Sequence, residues 1–171
     1  MASNNLINFI KKWEGVKYNP YLCPAGKPTI GVGFTTYLDG TPVTLNDPPL
    51  DDIQINRILS VKLDEFTTQV KRVLDNTLLP SEAIDALVSF TYNLGLGNFS
   101  KSTLLKKIKE NKLNFDAIEA EFMRWVYAGG KPLDGLKKRR KAEFEMYMSG
   151  MLSQYTKKEC YLLGKNGKIK P

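Results

Sequence analysis

Glu14, Cys23 and Thr29 are the residues of this 171-residue chain whose types and spacing could do chemistry. Cys23 follows Glu14 by nine residues and Thr29 follows Cys23 by six, and the last two frame a Gly/Pro turn ahead of Thr29-Ile30-Gly31-Val32-Gly33. A carboxylic acid held in a cleft can protonate the leaving oxygen of a glycosidic bond. Residues on one element cannot cover both sides of a bond, but a helix end facing a hairpin can. The chain contains no histidine. That removes Ser-His-Asp and Cys-His chemistry and His-ligated zinc, so catalysis must run on carboxylates, thiol, hydroxyls, lysines or backbone. No cofactor and no metal site are expected.

The elements that must position these groups follow from the apolar spacing. Ser3 is a fitting N-cap for a helix carrying Leu6, Ile7, Ile10 and Trp13, which should end near Glu14-Gly15. Residues 18–46 are broken by Pro20, Pro24, Pro28 and Pro42 and by several glycines, with short β-prone pieces and an Asp39-Gly40 turn signal. They read as a small, irregular antiparallel sheet. From about 51 to 74, Ile55, Ile58, Leu59, Phe66, Val70 and Leu74 recur at helical spacing. A helix that long would bridge two lobes. Further helices are expected from Pro80-Ser81 to Gly95, from Ser100 or Ser102 through Ile108, from Asn114 to Gly129-Gly130, and from Asp134 as cap to Gly150. The expected class is α+β and predominantly helical, with the N-terminal helix and β lobe over about 1–47 and a helical lobe over about 80–150. Residues 151–171 read as a basic C-terminal tail. Clefts at lobe interfaces are where substrates bind.

Three ordered blocks carry a family resemblance. The first is Phe9-Ile-Lys-Lys-Trp-Glu-Gly15, with Tyr21-Leu-Cys-Pro-Ala-Gly26 and Lys27-Pro-Thr-Ile-Gly-Val-Gly-Phe-Thr35. The second is Ala86-Leu-Val-Ser-Phe-Thr-Tyr-Asn-Leu-Gly95, followed by Phe99-Ser-Lys-Ser-Thr-Leu-Leu105. The third is Arg124-Trp125, then Gly135-Leu-Lys-Lys-Arg-Arg140 and Glu143. In these blocks the chain resembles the phage-type lysozymes, the endolysins of glycoside hydrolase family 24. The resemblance implies a lysozyme-like two-lobe fold and hydrolysis of the β-1,4 bond between N-acetylmuramic acid and N-acetylglucosamine in peptidoglycan. It makes Glu14 the general acid, which must be protonated at working pH, as partial burial in a cleft can arrange. It places Cys23 where the family has Asp or Cys, and Thr29 where a threonine positions the attacking water. A thiol serves there only if its pKa is lowered, which Lys17 and Lys27 nearby in sequence would favour. Base toward water, covalent nucleophile and a polar residue shaping the site all stay open for Cys23. Thr35, Tyr92, Asn93 and Ser102 map to sugar-contacting positions. Tyr92 also reads as half-buried core and Asn93 as a cap of the helix before Gly95. Phe34 departs from the histidine common in the family.

The formal charge of +7 favours an anionic partner. Lys137-Lys-Arg-Arg-Lys141 is the densest charge run, a solvated helix face with one or two ion pairs or a surface for an anionic polymer. A nucleic-acid partner is disfavoured, because no recognised binding fold accompanies the charge. Residues 1–5 show no basic segment leading into an apolar core, so the chain as given is expected to stay in the host cytoplasm until a holin-type partner permeabilises the membrane. A monomer is the default. Two further readings compete with the hydrolase: a lytic transglycosylase, which works with one Glu and leaves 1,6-anhydro ends, and an inactive wall-binding protein. Pairing of Cys23 with Cys160 under oxidising conditions would block the site thiol.

Overall fold

The computed structural model describes residues 2–155 and residue 159. The Cys23–Cys160 pair and most of the basic tail lie outside the described residues. The chain divides into two compact units, Met1–Glu65 and Phe66–Pro171. Small antiparallel ribbons accompany a majority of helices, the α+β, predominantly helical class expected from the sequence.

The first unit opens with α1 (Asn4–Glu14), which buries Leu6 and Ile10. Ser3 caps it as expected, its hydroxyl accepting from the Leu6 N–H at 3.0 Å, a bond worth about 1 kcal/mol. Gly15, at φ 75°, ends it, its N–H donating to the Lys11 carbonyl. Strands β1 (Lys17–Leu22) and β2 (Pro28–Gly31) follow as an antiparallel ribbon, pairing Lys17 with Gly31, Tyr21 with Thr29 and Leu22 with Pro28. The register slips between Lys17 and Tyr21. Extra residues on β1 bend that strand, as bulges do. Past β2 the backbone is held by single bridges, Ile30 to Phe34 and Thr36 to Pro42, the second closing the loop that holds Asp39-Gly40. Asp47 ties this irregular stretch down, accepting from Tyr37 Oη at 2.8 Å and from both the N–H and hydroxyl of Thr44. Helix α2 (Asp52–Leu74) then starts from a reciprocal capping box between Asp51 and Gln54. The division between the units falls inside α2.

In the second unit, α3 (Ser81–Leu94) is the central helix, with Ala83, Ala86, Leu87, Val88 and Phe90 fully buried. The chain continues through α4 (Leu96–Ser100), α5 (Thr103–Glu110) and α6 (Phe115–Phe122). Strands β3 (Tyr127–Ala128) and β4 (Lys131–Pro132) precede the last helix, α7 (Asp134–Leu152). The ring of Phe90 meets Phe99, Phe122 and Trp125 edge-on at 6.0, 5.5 and 5.6 Å between centroids, the arrangement aromatic quadrupoles favour.

Two expected boundaries are corrected here. The helix from Asn114 does not reach Gly129-Gly130. It ends at Phe122, and the two glycines, at φ 57° and 77°, turn the β3–β4 hairpin instead. Positive φ at both central residues is the geometry a tight hairpin turn requires. Gly150 likewise does not close α7, which runs on to Leu152 and buries Met151. A Cβ on Gly150 would stand 2.6 Å from the Ala83 amide nitrogen. The missing side chain lets α7 approach the start of α3.

Candidate active site

Three of the expected site residues stand on or beside the β1–β2 ribbon of the first unit. The turn Cys23-Pro24-Ala25-Gly26 closes it, with the Gly26 N–H donating to the Cys23 carbonyl at 2.8 Å and the Cys23 N–H to the Lys27 carbonyl at 3.0 Å. Pro24 presets the turn's first central φ, and Gly26, at φ 72°, supplies the left-handed residue that brings the chain back. Thr29 is buried on β2 and Cys23 half-buried at the turn. The fold brings these two together. The Thr29 hydroxyl donates to the Lys27 carbonyl at 2.9 Å and helps to lower the Cys23 pKa.

The electrostatics of this turn favour a thiolate. Backbone N–H groups of Lys27 and Ala25 lower the Cys23 pKa, with smaller help from the Thr29 hydroxyl and the Lys27 charge, while partial desolvation pulls the other way. The ordering differs from the sequence expectation, in which lysine charge was the cause. One hydroxyl hydrogen cannot serve Lys27 and a thiolate at once. The hydrogen bond that the structure shows is the one to the Lys27 carbonyl.

Glu14 is the last residue of α1, three positions before β1 begins. It is exposed, so the partial burial expected of it is not what the structure shows. Thr35 is also exposed, one residue past the Ile30–Phe34 bridge, and its carbonyl accepts from Val43. Phe34 is buried at 2% exposure, and its ring lies where a Cβ on Gly31 would sit, 2.5 Å away. Gly31, at φ 66°, is required there on both counts.

Tyr92, Asn93 and Ser102 all belong to the second unit. Tyr92 is half-buried, its ring 5.4 Å from that of Phe66. Asn93 does not cap α3, because the Gly95 N–H closes that helix on the Thr91 carbonyl. Its side-chain oxygen instead accepts from Arg140 Nη2 at 2.7 Å. Ser102 is the N-cap of α5, accepting from the Leu105 N–H and donating to the Phe99 carbonyl. Its hydroxyl hydrogen is therefore engaged within the fold.

The basic run on α7 is corrected most. Arg139 and Arg140 are buried, at 3% and 0% exposure, around a fully buried Glu143. Arg139 Nε donates to Glu143 Oε1 at 3.1 Å, Arg140 Nε stands 3.2 Å from Oε2, and the Ser89 hydroxyl donates to Oε1 at 2.6 Å. Burial pushes the Glu143 carboxyl above its ordinary range, while Arg140, Arg139 and Ser89 pull against it. The signal for this cluster was the three- and four-residue spacing from the arginines to Glu143, which puts all three on one helix face. Lys137 pairs with Asp134 at 3.1 Å, and Lys138 and Lys141 remain on the exposed side.

The model of the phage lysozyme family matches residues 11–143 of this chain. This chain belongs to the phage lysozyme family. It is 35% identical over 147 residues to the endolysin of Acyrthosiphon pisum secondary endosymbiont phage 1, covering 82% of this chain and 92% of that one. The endolysin of Bacillus phage B103 is 33% identical over 145 residues. The match covers 84% of this chain, which spans about half the length of that relative, 52%. Among solved structures, the endolysin of the Escherichia coli phage FAHEc1 superposes with a TM-score of 0.76 at 28% identity, covering 92% and 97% of the two chains. Among the described residues no helix is long and apolar enough to cross a membrane.

In a Cys160→Ser background, the rate of Cys23 alkylation is expected to rise through a midpoint at lower pH than in the urea-unfolded chain, because only the thiolate reacts. Equal midpoints would mean that the turn's N–H groups do not act on the sulfur.

Proposed function

We propose that this chain hydrolyses the β-1,4 bond between N-acetylmuramic acid and N-acetylglucosamine in bacterial peptidoglycan, and so lyses a phage host. Glu14 gives its proton to the leaving glycosidic oxygen. Water attacks the anomeric carbon from the other side of the ring, positioned by the Thr29 hydroxyl and passing its proton to the Cys23 thiolate. Thr35, Tyr92, Asn93 and Ser102 are the sugar-contacting residues in this reading.

The observation that carries this reading is the β1–β2 ribbon, which holds Cys23 at its turn and Thr29 buried on β2, inside the stretch that the family matches. The charge distribution agrees with an anionic wall. Met1–Glu65 holds six Lys and Arg against seven Asp and Glu, while the rest of the chain holds nineteen against eleven. A second reading has its own support, because Cys23 stands where a second carboxylate would serve as base. A lytic transglycosylase needs no such base, since the muramic 6-hydroxyl attacks in place of water. Purified peptidoglycan incubated with the protein should lose turbidity and release soluble fragments. Binding without release would make the protein a wall-binding one.

A further inference from the structure

We infer that Arg140 is a positioning residue that turns the Asn93 side chain so that it offers substrate only N–H donors, suited to the acetamido carbonyl of a peptidoglycan sugar. The inference rests on the proposed function above.

Arg140 Nη2 lies 2.7 Å from the Asn93 side-chain oxygen. A guanidinium carries donors and no acceptor, so the atom facing it at that distance must be the amide oxygen. A reversed amide would set N–H against N–H and leave a buried donor unmet. Amide orientations are assigned from their networks, and this network allows one answer.

Arg140 cannot turn away to relax that constraint. It is fully buried. Its Nε stands 3.2 Å from Glu143 Oε2, and its guanidinium lies 5.0 Å from the centre of the Phe90 ring. Glu143 is held in turn by Ser89 and Arg139. The polarity of Asn93 is thus set by a chain of contacts reaching through α3 and α7. At the other end of the amide, Nδ2 bonds to no protein atom among the described residues, and Asn93 is only half-buried. Two N–H donors are left for solvent or ligand. A carbonyl acceptor satisfies them; a group that only donates does not.

Asn93→Asp tests this directly. It keeps an oxygen toward Arg140 and replaces both outward donors with an acceptor. Its KM on fully N-acetylated peptidoglycan is expected to rise about three- to tenfold, the loss of one hydrogen bond, with kcat level. Its melting temperature should not fall, because the new carboxylate pairs with Arg140. On glycan stripped of its N-acetyl groups, whose amines are protonated donors, Asn93→Asp should show a KM no higher than that of wild type. Arg140→Lys keeps the charge but loses the rigid fork. Its KM should rise in the same direction, and combining it with Asn93→Asp should add little. An unchanged KM for Asn93→Asp on acetylated material, or an equal rise on stripped glycan, overturns the inference. Absence of turnover by wild type would count against the hydrolase reading instead. Affinity for N-acetylglucosamine oligomers, read by calorimetry, then carries the same contrast between wild type and Asn93→Asp.

Discussion

Glu14→Gln is expected to lower peptidoglycan turnover by about 10²–10⁴-fold, the range that a positioned general acid supplies. Glutamine keeps the length and hydrogen-bonding shape of the side chain and removes only the transferable proton. The loss should therefore fall on kcat, with binding to intact peptidoglycan retained. Melting temperature read beside activity separates a lost proton donor from a damaged fold. A variant within a few-fold of wild type would remove Glu14 from the chemistry and leave the ribbon thiol as the group to pursue. Glu14 is exposed at the end of α1.

Glu143→Gln is expected to cost about 3–5 kcal/mol of stability, because it leaves two buried guanidiniums without their counter-ion. Arg139 and Arg140 have almost no solvent access to compensate. Against a typical total of about 5–15 kcal/mol, this is a large share. Urea unfolding of wild type and variant gives the difference as a shift in midpoint, provided the slopes agree. A loss below about 1 kcal/mol would fit the ordinary cost of a surface substitution rather than a buried ion cluster. The cluster also holds Asn93 through Arg140, so the same variant should weaken substrate binding in the fraction that remains folded.

Three helix starts were legible because their signals are local, whereas α7 is entered from Leu133 with no side-chain cap and Asp134 is its first residue, not its cap. Ser3, Ser102 and Asn114 each accept from a backbone N–H three residues on, and that chemistry is written in the adjacent sequence. The ends of α6 and α7 were not. Trp125 and Val126 continue the apolar spacing of α6, yet Val126 is buried and Trp125 packs on Phe90 from outside any helix. Burial demands an apolar residue without saying which backbone carries it. Gly150 looked like a stop signal, but its role is close approach to Ala83, a tertiary fact. At the site, the Cys23–Thr29 meeting follows from hairpin pairing and was within reach of the sequence. The inward turn of Arg139 and Arg140 was not, because a charge run reads as solvated until the partner helix is known.

The most direct test of the account is mass spectrometry of the ends that wild type and Glu14→Gln generate on purified peptidoglycan. The account predicts reducing N-acetylmuramic acid ends from wild type, with one atom of oxygen taken from labelled water, and nearly none from the variant. Anhydromuramic ends without label would contradict it and make the enzyme a transglycosylase, and reducing N-acetylglucosamine ends would contradict the assigned bond.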